Sequence, residues 1–190
     1  MSRPVLTIVA GSNGCGKSSL TSLARSKFQD IPLLDPDAIA KSLQESVVGA
    51  NSDIEAGKKV LRLAEEFIAN HQSFTVETTL SGSTYLRMAE RAKAAGFNIL
   101  VFFVGTHSVE INIERVRFRV EKGGHDVPEQ DQRRRYPRTL LNMKRLLPQA
   151  DLAVIFDNST SKGHVLVGVG HPGFMDWVEP VPEWAAGLRG

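Results

Sequence analysis

The chain has 190 residues, 42% hydrophobic and 23% charged, and a formal net charge of +2. That size suits one domain spanning residues 1–190, with a core large enough to need neither disulfides nor a structural metal. The charge is too close to neutral to argue for a nucleic-acid or membrane-surface partner, and a lone cysteine, Cys15, excludes an internal disulfide and favours a reducing cytoplasm.

No signal-peptide pattern opens the chain, and no apolar run reaches the roughly 18 residues of a membrane helix. Residues 5–10 read as a buried strand, and 17–28 as a helix with Leu20, Leu23 and Ala24 on one face. Residues 31–34 form a short strand ending in Asp35, and 37–47 a helix with Asp37 near its start. A longer helix covers 54–70, a strand 73–77, and a helix 83–95 that Gly96 stops. Residues 97–104 are apolar nearly throughout, as a strand covered on both faces should be. Then come a helix over 109–120, a polar loop over 121–129 and a basic helix over 131–147. Residues 152–156 are another buried strand and 164–169 a further candidate, while Pro172, Pro180 and Pro182 mark 171–190 as an irregular tail. This alternation predicts an α/β fold of three layers, with a mostly parallel sheet of about five strands and helices on both faces. Ligands of such sheets bind beyond the carboxyl ends of the strands.

At the end of the first strand stands Gly11-Ser12-Asn13-Gly14-Cys15-Gly16-Lys17-Ser18, which fits G-x-x-x-x-G-K-[ST], the P-loop pattern. Its glycines let backbone N–H groups turn toward phosphate oxygens, and the following helix, through Ser19, directs its positive end at them. Lys17 reaches the β- and γ-phosphates of ATP, and the Ser18 hydroxyl suits Mg²⁺. Cys15 fills a variable position as a small residue that fits; a thiol whose pKa the helix N-terminus lowers is the second reading. The fold class is thus a P-loop NTPase.

Asp35 and Asp37 follow the second strand. Phosphoryl transfer to an alcohol needs a group that takes the hydroxyl proton and a metal that offsets charge. Two acids two residues apart can divide that work, Asp35 being a candidate metal ligand; a plain helix cap is the alternative for Asp37. Glu77 ends an apolar strand, where a carboxylate needs a partner. It can bind a substrate hydroxyl or a metal-bound water, with Thr78 and Thr79 adding donors, or be an ordinary strand end. Leu80-Ser81-Gly82 begins like a transporter-ATPase signature and then departs from it. Asp157 and Asn158 read as strand-end residues near the nucleotide base.

Residues 119–140 form a basic segment hinged at Gly123 and Gly124. The arginines that follow, Arg134, Arg135 and Arg138 among them, can close over ATP and stabilise transferred charge, and His125 can contact phosphate or substrate or be plain surface. A solvated helix face and a patch for RNA or DNA phosphates are the rival readings. Three functions follow: an ATP-dependent small-molecule phosphotransferase, an ATP-binding or ATPase switch, and a kinase of nucleic-acid ends. The other histidines, His71, His107, His164 and His171, show no metal-ligand spacing.

Together GSNGCGKS, LLDPDAIA, FTVETTL, RVEKGGHDVPEQDQRRRYPRTLLNM and IFDNST resemble the zeta-toxin family of P-loop kinases, and its short stand-alone branch most closely. The resemblance runs in family order from residue 5 to about 160. It implies a kinase-like fold, ATP and Mg²⁺ as cofactors, and an antitoxin partner. It also implies an acceptor such as the 3′-hydroxyl of UDP-N-acetylglucosamine, with Asp37 as base and Glu77 on the substrate. Arg119 matches the first of two phosphate-contacting arginines. The second falls near His125, where this chain has none, so Arg134, Arg135 or Arg138 stands in for it.

Overall fold

The computed structural model describes residues 3–25, 31–36, 38–40 and 52–189. Strand β1 (Val5–Ala10) leads through the glycine loop into helix α1 (Lys17–Arg25), and the short β2 (Leu33–Leu34) follows. Then come α2 (Ser52–Ala69), β3 (Phe74–Thr78), α3 (Thr84–Ala94), β4 (Asn98–Gly105) and α4 (Val109–Glu121). Helix α5 (Glu129–Leu146) runs into a 3-10 turn, and β5 (Leu152–Asp157), β6 (Val165–His171), β7 (Phe174–Trp177) and α6 (Glu183–Ala186) close the chain. Most of the expected helix over 37–47 lies outside the described residues.

The sheet order is β2-β3-β1-β4-β5-β6-β7. The first five strands in this order are parallel, and β6 and β7 are antiparallel to their neighbours. Alternation along the central strands sends Leu6, Ile8, Val76, Ile99, Val101, Phe103 and Ile155 into one core. Val60 and Ala64 of α2, Met88 and Ala89 of α3, and Met143 and Leu146 of α5 cover it. Placing β1 between β3 and β4 brings the ends of β1, β2 and β3 to one edge, where the glycine loop, Asp35 and Glu77 meet.

Two expectations are corrected. The sheet has seven strands among the described residues, rather than about five. The stretch expected to be an irregular tail contains β7 and α6. Glycines account for both. Added Cβ atoms at Gly168 and Gly170 would lie 3.1 Å from the Trp177 ring and 2.6 Å from Met175 Sδ. Bare backbone on β6 therefore gives the β7 side chains room to pack. Gly105 does the same for α6: a Cβ there would stand 2.2 Å from the Trp184 ring, which is buried against Phe103 at a centroid distance of 6.0 Å.

Candidate functional site

The glycine loop is shaped by neighbours on its outer side. Gly11 donates its N–H to the Thr78 carbonyl at 3.2 Å. Its φ of 148° is left-handed, and a Cβ would meet the Val104 carbonyl oxygen at 2.3 Å. Gly14 lies against α4, where a Cβ would come within 2.4 Å of the Asn112 carbonyl oxygen. Only glycine tolerates such backbone approach. Lys17 is buried and folds back over the loop, with Nζ donating to the Ser12 carbonyl at 3.0 Å.

Glu77, only 8% exposed, is held by two hydroxyls. Ser18 Oγ donates to Oε1 at 2.9 Å and Thr21 Oγ1 to Oε2 at 2.9 Å. This answers the cost of burying a strand-end carboxylate: each oxygen has a donor. Thr21 was not among the expected site residues. Its signal was present in the spacing, because residue i+3 shares a helix face with Ser18.

Two clefts meet at this point. One, of about 480 Å³, lies between Asn13, Lys17, Asp35, Glu77, Thr78, Thr79, Ser81 and Tyr85 and the arginines Arg134, Arg135 and Arg138. The other, of about 350 Å³, is lined by Gly14, Gly16, Ser18, Ser19, Arg115, Arg119 and Asn158. Asn13, Lys17 and Glu77 border both. Asp35 lines the first cleft and turns the chain behind it, its carbonyl accepting from Ile39 N–H at 3.0 Å. Asp37 lies outside the described residues.

The expected arginines are divided between the clefts. Arg119 lines the second cleft, and its Nη2 donates to the His125 carbonyl at 2.7 Å. Gly124 permits this placement, since a Cβ there would stand 2.5 Å from Arg119 Cγ. His125 is exposed and lines neither of these clefts. On the other side Arg135 Nη1 reaches Asn13 Oδ1 at 3.4 Å, and Arg134 pairs with Asp131 at 2.6 Å.

These arginines ride on α5, which three side chains tie to backbone carbonyls elsewhere in the fold. Tyr136 donates to the Thr106 carbonyl at 2.6 Å, Thr139 to the Thr79 carbonyl at 2.7 Å, and Asn142 to the Leu80 carbonyl at 2.9 Å. Burial raises the Tyr136 phenol pKa, which keeps it a donor. Asp157 is likewise engaged: its Oδ1 accepts from Ser159 Oγ and, at 3.2 Å, from Trp184 Nε1.

Cys15 is fully buried, and desolvation pushes its thiol pKa up despite the nearby Lys17. The reading of a thiol activated by the helix N-terminus is overturned, because loss of hydration outweighs the charges that favour the thiolate. In native protein Cys15 should resist iodoacetamide and react fully once unfolded. Mass spectrometry of the labelled chain checks this, and rapid native labelling would contradict the burial.

Comparison with known proteins places the chain. The family model described as Zeta toxin matches residues 1–163. An uncharacterized protein of Haemophilus influenzae is 36% identical over 126 residues, covering 66% of this chain and 88% of that protein. Among solved structures, the AvrRxo1-ORF1:AvrRxo1-ORF2 complex with sulphate ions matches at a TM-score of 0.74 and 17% identity, over 95% of this chain and 65% of that one. The PezAT chromosomal toxin–antitoxin system of Streptococcus pneumoniae matches at 0.66 and 18% identity, over 87% and 71%. The chain thus spans about two thirds of the AvrRxo1 chain it matches. With its P-loop, parallel sheet and the family match over most of its length, the chain belongs to the zeta toxin family and has the fold of P-loop kinases.

Proposed function

We propose that the protein moves the γ-phosphoryl of ATP to a hydroxyl of an anionic small molecule, with a nucleotide sugar such as UDP-N-acetylglucosamine as the first candidate. The observation that carries this reading is the pair of clefts meeting at Lys17 and Glu77. One cleft has the glycine loop and Arg119 and suits a nucleotide; the other suits an acceptor. Arg119 Nε is buried without a hydrogen-bond partner among the described residues, a donor well matched to an anion.

The donor set also fits Mg²⁺, since Ser18, Asp35 and Glu77 offer hard oxygen ligands. When bound, the metal offsets charge on the transferred phosphoryl. The loop N–H groups and Lys17 hold the phosphates of ATP, while Glu77 and Thr78 orient the acceptor. Asp37 takes the proton of the acceptor hydroxyl as its oxygen bonds to the γ-phosphorus. The bond from that phosphorus to the β–γ bridging oxygen breaks, and ADP leaves. Arg119, Arg134 and Arg135 stabilise charge during transfer.

Arg138 lines the acceptor cleft and forms no salt bridge among the described residues. This supports an acceptor that brings its own negative charge. Arg138→Ala should raise the acceptor KM about tenfold while kcat changes little; steady-state kinetics at saturating ATP would measure it.

The governing test is γ-labelled ATP offered to a metabolite panel that includes UDP-N-acetylglucosamine, with Lys17→Ala as the blank. Labelled product lost in Lys17→Ala and in Asp37→Asn supports the proposal. ATP consumption that no acceptor stimulates would point to an ATPase switch, and label on oligonucleotide ends to a nucleic-acid kinase. An antitoxin protein is the proposed partner, since the PezAT match is a toxin–antitoxin system. Co-purification with the product of an adjacent reading frame would test it.

A further inference from the structure

The family match ends at residue 163, yet the next residue touches the phosphate loop. β6 pairs antiparallel with β5, with Val165 opposite Asp157, and this return sets His164 against the loop. His164 Nε2 lies 3.1 Å from the Gly16 carbonyl oxygen. A carbonyl oxygen only accepts, so Nε2 carries the proton. Beside it Asn158 Nδ2 donates to the Cys15 carbonyl at 2.7 Å. Both donors are themselves supported. Arg115 Nη1 holds the Asn158 carbonyl at 2.7 Å, and Phe156 meets the His164 ring edge-on at a centroid distance of 6.1 Å.

Two successive carbonyls of the loop are therefore drawn the same way, out to the β5–β6 side. In a trans peptide the C=O and the following N–H point in opposite directions. Holding the Cys15 carbonyl on Asn158 turns the Gly16 N–H away from Asn158. Holding the Gly16 carbonyl on His164 turns the Lys17 N–H away from His164. These N–H groups stand in the stretch whose amides cradle phosphate in a loop of this pattern. Gly16 has a φ of 103°, and a Cβ there would lie 2.3 Å from Asn158 Nδ2, so the clamp and the glycine require each other. The Gly16 carbonyl also accepts from Leu20 N–H, but at a longer 3.4 Å. His164 is thus the nearer partner of that carbonyl.

We propose that His164 is a positioning residue for nucleotide binding. With Asn158 it presets the Gly16 and Lys17 N–H groups, so that the phosphates of a nucleoside triphosphate meet donors already aligned. The proposal rests on the reading of this loop as a nucleotide site. It gives the C-terminal strands a role at the loop, from a residue just past the family match.

The test uses the full chain with His164→Leu, which keeps bulk and loses the donor, and His164→Gln, which offers an amide N–H at similar reach. Calorimetry with ATP and Mg²⁺ should show binding weakened about tenfold in His164→Leu and restored to within about threefold in His164→Gln. In nucleotide-free protein the Gly16 carbonyl ¹³C resonance should move in His164→Leu and stay near its place in His164→Gln. ATP affinity unchanged in His164→Leu, or a loss that His164→Gln does not restore, would overturn the proposal. If the wild type binds no ATP, the nucleotide reading fails on its own. The Gly16 resonance then still decides: unmoved in His164→Leu, it removes the clamp; moved and rescued by glutamine, it upholds it.

Discussion

Glu77→Gln should lower ATP-dependent phosphoryl transfer about 100-fold while leaving the unfolding free energy within about 1 kcal/mol of wild type. The separation of the two effects follows from the contacts. Glu77 accepts from Ser18 Oγ and from Thr21 Oγ1, one on each carboxylate oxygen. A glutamine amide has nearly the same shape. Its oxygen accepts from one hydroxyl, and its NH₂ donates to the other once that hydroxyl rotates. Packing and hydrogen bonding are kept. The negative charge next to Ser18 is lost, and that charge is what the proposed chemistry uses to hold a metal ion and orient a hydroxyl. Single-turnover transfer with a titration of Mg²⁺, read beside urea unfolding, checks both halves. Transfer within about threefold of wild type would remove Glu77 from the proposed machinery.

The second large effect is on stability. Trp184→Ala should cost about 3 kcal/mol and lower the melting midpoint by roughly 6–12 °C for a chain of this size. Trp184 is 9% exposed, and its indole ring packs tilted against Phe103 and covers the bare backbone of Gly105. Its Nε1 also donates to Asp157 at 3.2 Å, at the end of β5. Removing the ring leaves a cavity over Gly105 and an acceptor short of one donor. Gly105→Ala alone should also destabilise, because its Cβ would stand 2.2 Å from the ring. In the Trp184→Ala background the same methyl enters space already vacated, so the double variant should lose less than the sum of the two. Differential scanning calorimetry of the four proteins measures this coupling. Strict additivity would show that the ring and the glycine do not meet.

These two residues mark where sequence reading works and where it stops. Glu77 was legible as a candidate because a charged residue at the end of an apolar strand, close to a phosphate loop, asks for a partner. The partner itself took the fold to find. Ser18 and Thr21 lie 59 and 56 residues away along the chain, and they meet Glu77 because β3 lies beside β1. Trp184 was not legible at all. A tryptophan among prolines carries no periodic pattern, and the opposing glycine is 79 residues earlier, at the end of a strand whose apolar run explains itself without it.

The same division holds for the basic segment. Its arginines stand out by composition, and Gly123-Gly124 suggests a hinge. Whether a helix moves depends on what fastens it, and Tyr136, Thr139 and Asn142 fasten α5 to backbone carbonyls 30 to 62 residues distant. Such side chain-to-backbone bonds have no local signature.

By itself the sequence determined the strand–helix alternation, the glycine loop with Lys17 and Ser18, and the acidic residues at the strand ends. Those properties are local: hydrophobic period, backbone freedom at glycine, and charge at a predicted edge. Only the tertiary structure decided that Arg119 faces one cleft and Arg134, Arg135 and Arg138 the other, that the Cys15 thiol is desolvated, and that His164 reaches the phosphate loop. Each depends on the environment that distant segments create around a side chain, and burial and contact across a sheet are not properties of neighbours in sequence.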